Sequence, residues 1–206
     1  PVAQREAMKA EVEAYFGHIV RDNRSVLELV DSDYTFLNET LATYYGFPAD
    51  TVKGAALKKI SLPADDPRGG GVLTMASTLA VTSNPTRTSP VKRGKWILEN
   101  ILGAPAPPPP PAVPSLEETE KKISDRMPTQ REVLAIHREA PLCASCHNRM
   151  DPLGLALENF NALGLYRTQE LNQPVDSTGT LVTGESFKNV RDLKKILVTQ
   201  HRQEIY

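Results

Sequence analysis

Cysteine is nearly absent from this 206-residue chain: there are two, Cys143 and Cys146. So few in a chain of this length exclude a disulfide-stapled scaffold. Aromatic residues are scarce as well, at 6%, which leaves aliphatic side chains to fill most of any core. Neither sign of charge is in excess. Lys and Arg number 24 against 25 Asp and Glu, so there is no general attraction to nucleic acid or to an anionic membrane. No apolar run approaches the roughly 20 residues that span a bilayer, so no transmembrane segment is expected. No internal repeat stands out at a period of 20–50 residues. The opening PVAQREAMKA is a charged helical pattern without an export signal or an initiator Met, and the closing HRQEIY is also helical in pattern. The chain is therefore expected to be an internal piece of a longer protein, and the missing signal says nothing about compartment.

What is present is a succession of short helical patterns. Met8, Val12, Tyr15, Phe16, Ile19 and Val20 recur at three- and four-residue spacing, which predicts an amphipathic helix. Ser25 and Glu28 have capping-box spacing before a short helix through Val30. Asp33 is a candidate cap for a helix bearing Leu37, Leu41, Tyr44 and Tyr45 and stopped by Gly46. Residues 47–71 read as loop, and 72–81 as a helix or buried segment. Ser89, Pro90 and Gly103 have the residue types of a cap, a first helical position and a C-terminal stop, with Val91, Trp96, Ile97 and Ile101 or Leu102 facing the core. APAPPPPPAVP, residues 104–114, predicts polyproline II. It is read as a linker between two units, with a strap inside one unit as the alternative.

Beyond it, Thr129 and Glu132 form a capping box for a helix over 130–139 that buries Val133, Leu134 and His137. Pro141 ends it, and CASCHNR is expected to be a short helical turn. Asp151 then caps a helix with Pro152 in its first turn and a stripe of Leu153, Ala156, Leu157 and Phe160, ended by Gly164. PVDSTGTLVTG predicts a hairpin turning at Gly179. Asn189 caps a last helix with Val190, Leu193, Ile196 and Leu197 inward.

Both cysteines fall in CASCH, which satisfies Cys-x-x-Cys-His, the attachment pattern of c-type haem. Two thiols three residues apart lie on one side of a helical turn and reach the two vinyl groups of one haem, and His147 then projects an imidazole under the iron. A thioredoxin-like redox pair lacks the strand that should precede it, and a zinc site lacks a second cysteine pair. The iron's opposite ligand is less determined. Met150 follows His147 by three residues and stays on the same side of the haem. His137, on the buried face of the preceding helix, is the candidate, with a packed core histidine as the alternative. Met75 and Met127 are further options for that ligand, read first as packing residues, and His18 and His201 read as surface. Lys92, Arg93, Lys95 and Trp96 cluster in TSPVKRGKW. Arg93 and Trp96 either clamp the haem propionates or face an electron partner, or the cluster is a solvated helix face around one tryptophan.

The run HREAPLCASCHNRMDPLGLALENFNALGLYRT resembles the C-terminal cytochrome-type module of large proteins abundant in planctomycetes and related bacteria. Upstream, RSVLELVDSDYTFLNETLATYYG and GGVLTMASTLAVTSNPTRTSPVKRGKWILENILGAPAPPPPP are similar to the domain of unknown function that precedes that module. The resemblance implies a haem-binding, exported, multi-domain protein with redox activity, and it supplies no substrate. Asp151, Pro152, Leu153 and Gly154 belong to its motif and are expected to be structural, with Asp151 either capping a helix or pairing with a nearby Arg.

Together these features predict a mainly α fold. A helical region over 1–103 is joined by the linker 104–114 to a cytochrome c-like helical module over 115–206 with a short β-hairpin. The expected function is electron transfer by one covalent haem c, with a redox partner protein or other domains of the parent chain as partner. The alternatives are a haem enzyme with an open axial position and a non-catalytic assembly module. Haem c attachment implies the periplasm or cell surface.

Overall fold

The computed structural model describes residues 1–108 and 126–205. The polyproline reading of 104–114 therefore lies largely outside the described residues. The fold is mainly α, and the sheets among the described residues are two-stranded.

Helix α1, Val2–Arg21, buries Ala7, Glu11, Tyr15 and Ile19. That strict four-residue spacing sets its inner face. Phe16 and Val20, expected on the same stripe, sit one residue further round and are exposed. Ser25 caps a short 3₁₀ turn, Val26–Leu29, by accepting from Leu27 N–H. Glu28 does not complete a capping box. It pairs with Arg24 at 3.0 Å and accepts from the Tyr34 hydroxyl at 2.5 Å.

The helix expected from Asp33 begins later. Tyr34–Leu37 is strand β1, antiparallel to β2, Lys58–Ser61, inside the stretch read as loop. Aromatic and β-branched residues in YTFL suit a pleated surface better than a first helical turn. Asn38 caps α2, Glu39–Tyr45, and Gly46 ends it at φ 81°. A 3₁₀ turn, Val72–Thr74, leads into α3, Ala76–Val81.

Helix α4, Pro90–Asn100, starts as expected: Ser89 accepts from Lys92 N–H and Pro90 opens the first turn. Helix α5, Gln130–His137, carries the complete Thr129/Glu132 capping box and buries Val133, Leu134 and His137. Helix α6 runs unbroken over Pro141–Leu155. CASCHNR is thus not a separate turn, and Asp151 caps nothing. Pro152 removes one backbone donor close to the helix end and is accommodated there.

The hairpin β3–β4, Gln169–Glu170 with Gln173–Pro174, turns on Leu171 and Asn172, both at positive φ. In the second hairpin, β5 (Gly179–Thr180) pairs with β6 (Ser186–Phe187). Its turn lies at Gly184, φ 105°, whereas Gly179 is a strand residue beneath the Phe187 ring. Asn189 caps α7, Val190–Gln200, which buries Val190, Leu193, Lys194 and Leu197.

The main core joins Ile97 and Leu98 of α4, Met150 and Leu153 of α6, and Leu193 and Leu197 of α7. Elements on the two sides of residues 109–125 thus share one core. The backbones of α4 and α6 touch. A Cβ on Gly94 would lie 1.8 Å from the Met150 carbonyl oxygen, and one on Gly154 would lie 1.8 Å from that of Pro90. Helix α7 is pinned to the loop before α3 by Lys194. Its fully buried ammonium donates to the carbonyls of Arg68 and Gly70 and to Thr74 Oγ1 at 2.8–3.0 Å. Burial pushes that ammonium down to about 7. Arg68 ties the same loop to the segment after α6 through Gly164 O at 2.9 Å, with its guanidinium over the Tyr45 ring.

Gly154→Ala forces the α4 and α6 backbones apart and should lower stability by about 3 kcal/mol in urea unfolding. A loss below about 0.5 kcal/mol, the level of an ordinary surface substitution, contradicts the close helix contact.

Candidate functional site

Helix α6 presents the motif on its first two turns. Ala140 precedes the helix and Pro141 occupies its first turn, where a missing N–H costs nothing. Cys143 and Cys146 follow as free, half-buried thiols, with Ser145 Oγ 3.8 Å from Cys146 Sγ. Cys146 leans on the main core. Leu142, beside them, is 67% exposed, an apolar side chain left in water at the edge of the motif.

His147 comes next, and its ring is held. Nδ1 lies 2.9 Å from Asp151 Oδ1, one helical turn along, and Asp151 is wholly buried. A carboxylate only accepts, so Nδ1 donates the proton between them, and Nε2 is the ring nitrogen that Asp151 does not engage. The second oxygen of Asp151 makes no hydrogen bond and faces the Arg138 guanidinium at 3.7 Å. Of the two roles expected for Asp151, the arrangement gives it the arginine pairing and not the cap.

His137 closes the cluster from the end of α5. It is buried, and its ring meets that of His147 edge-on, with centroids 4.8 Å apart and planes at 65°. Two imidazoles binding one metal from opposite sides hold their centroids about 6 Å apart, because each metal–nitrogen bond is about 2 Å. The two rings therefore touch each other here, and coordination of one iron from both faces requires them to separate. Among the described residues no cluster of three or more His, Cys, Asp or Glu is arranged to hold a bare metal ion. A porphyrin-held iron needs no such cluster.

Arg93 is not brought to this motif. Arg93 is 1% exposed and spends its guanidinium inside the protein. It pairs with Glu158 at 3.1 Å and donates to the carbonyls of Leu157, Phe160 and Asn161 and to Ser83 Oγ. Burial lowers Arg93 to about 10, opposed by Glu158. Burial also raises the Glu158 carboxyl, opposed by Arg93, Thr88 and Arg167. Trp96 is half-buried against the main core. Lys92 reaches Asn84 at 2.6 Å and Lys95 lies 3.6 Å from Glu99, both at the surface. Glu158 was not singled out by the sequence, although a carboxylate directly after Leu157 on an apolar stripe signals a buried partner.

Met150 is buried in the main core, and Met75 packs against Tyr15 and Ile19. Met127 is 72% exposed and not a packing residue. His201 is not on the surface. Four-residue spacing from Leu193 and Leu197 carries it inward, between Glu204 at 2.9 Å and Glu185 at 3.3 Å. His18 is half-buried, with Asp22 at 2.6 Å.

Two family models match the chain. One, described as "PSCyt3: Protein of unknown function (DUF1588)", covers residues 68–170, half of the chain. The other, "PSD4: Protein of unknown function (DUF1592)", covers residues 2–47. No curated protein and no solved structure matches. The first match takes in the proline-rich stretch, the CASCH motif and the Arg93–Glu158 pair together. No helix among the described residues is long and apolar enough to cross a membrane.

Arg93→Met removes one of the two arginines paired with buried Glu158, and the donor to three carbonyls, and should lower stability by about 3–5 kcal/mol. Chemical denaturation of the purified variant measures this. A loss under 1 kcal/mol would place Arg93 outside the folding core and return it to the surface role the sequence allowed.

Proposed function

We propose, from the premise that this chain belongs to the PSCyt3 family of proteins of unknown function (DUF1588), that it is a one-haem electron-transfer module of a larger exported redox protein. The single observation that carries this is the held imidazole. His147 directly follows the second of two free thiols and has Nδ1 engaged by a buried carboxylate and Nε2 left over. Ligating histidines in metalloproteins have this arrangement.

The residues fit the group in chemical type. Cys143 and Cys146 are unpaired thiols three residues apart on one helix and would take the two thioether links. His147 would supply the iron ligand. When bound, the haem provides one-electron chemistry between ferric and ferrous iron. The chain's own residues do the rest. Helix α6 fixes the spacing of the three attachment residues. The α4–α6 contact keeps that helix rigid behind them, and Asp151 prevents the His147 ring from rotating. Leu142 gives an apolar contact at the exposed edge. His137, whose ring meets that of His147, would be the second residue to hold the iron. Arg93 and Trp96 are proposed to support the helices and not the propionates. Haem c attachment takes place outside the bacterial cytoplasm, so the proposal carries with it a periplasmic or cell-surface location.

Expression alongside haem-ligation machinery tests the reading. The wild-type chain should give a pyridine haemochrome spectrum of the thioether type that survives acid–acetone extraction. Cys143→Ala combined with Cys146→Ala should abolish the retained pigment, and extractable or absent pigment in the wild type would overturn the proposal. For the opposite ligand, His137→Ala should shift the Soret band and make the ferrous form sensitive to carbon monoxide. An unchanged spectrum would take His137 off the iron.

A further inference from the structure

We infer that Asp151 is a positioning residue for the iron ligand, fixing the tautomer of His147 and lowering the midpoint potential of the haem by its charge. The inference rests on the haem reading and deepens it, since it assigns the control of the site to a named group. The geometry is specific. Asp151 stands four residues after His147 on the same helix, which places the two side chains one above the other. The carboxylate is wholly buried, so water does not compete for the imidazole N–H. Oδ1 takes that N–H at 2.9 Å.

Among the described residues Oδ2 has no hydrogen-bond partner, and it faces Arg138 Nη1 at 3.7 Å. A carboxylate whose job is to hold the fold together has its oxygens saturated, as those of Glu158 are by Arg93, Arg167 and Thr88. Asp151 is left with most of its charge directed at one imidazole. It does not begin a helix either, because α6 runs through it without a break.

The consequence for the iron follows from charge alone. A buried carboxylate on Nδ1–H draws the proton toward itself and makes Nε2 a stronger donor. A stronger donor, and a nearby negative charge in a dry site, both stabilise ferric over ferrous iron. The midpoint potential falls. Arg138 opposes part of this effect from the far side of the carboxylate, so its removal should strengthen the effect.

The test uses the haem-loaded chain as wild type, Asp151→Asn and Asp151→Ala. Asn is nearly isosteric and keeps an oxygen acceptor for Nδ1–H, so it isolates the charge and remains informative if Ala does not fold. Both variants should keep their covalent haem. At a fixed ambient potential the ferrous-to-ferric ratio should rise about tenfold, which is about 59 mV for one electron. Nitrogen chemical shifts of the His147 ring in the haem-free chain give a readout that packing alone would not move. The wild type should show the Nδ1–H tautomer, and Asp151→Ala should redistribute it. A midpoint unchanged in Asp151→Asn overturns the inference, as does an Nε2–H tautomer in the wild type. Absence of covalent pigment in the wild type defeats the haem reading itself and this inference with it, whereas pigment with an unmoved midpoint defeats this inference alone.

Discussion

The structure depends on two glycines that let two helices touch. Gly94 of α4 meets the Met150 carbonyl, and Gly154 of α6 meets that of Pro90, so each helix supplies the gap that the other fills. At such an approach there is no room for a side chain between backbones. The hydrophobic residues on either side, Ile97 and Leu98 against Leu153 and Met150, close around the contact. The Arg93–Glu158 pair then locks the crossing from within, because its guanidinium satisfies three carbonyls of the chain that leaves α6. Everything at the motif is mounted on this crossing. The turn bearing Cys143, Cys146 and His147 is the free end of a helix whose other end is clamped.

Much of this was legible in the sequence where local chemistry decides. The Thr129/Glu132 capping box, Ser89 with Pro90, and Asn189 all start helices in the expected places, because a cap is satisfied by residues within one turn. The misses share a cause: a partner distant in sequence. Tyr34–Leu37 reads as helix until Lys58–Ser61 offers a strand to pair with. Asp151 has the residue type of a cap, and only the continuity of α6 shows that its acceptor is turned to His147. His201 was read as surface because its neighbours are charged, yet four-residue spacing from Leu197 brings it inside.

The proline-rich stretch illustrates the same limit. Proline content specifies backbone conformation through fixed φ and a missing donor. It does not specify what the flanking segments pack against. Here α4 lies on one side and α6 on the other, and the two touch backbone to backbone. Of the site itself, spacing alone picked out Cys143, Cys146 and His147. Arg93 was noticed for its charge, and its actual partners, Glu158 and the carbonyls beyond it, lie more than 60 residues away.

The motif sets an imidazole engaged on one nitrogen next to two free thiols on the first turns of α6. A buried carboxylate prepares the ring, and the helix crossing holds the carboxylate in place. The account stands on covalent attachment of one haem through those thiols. Intact mass of the chain, produced with haem-ligation machinery and denatured before measurement, tests it most directly. The account predicts the mass of the polypeptide plus one haem. The bare polypeptide mass from a culture in which a control c-type cytochrome matures would contradict it.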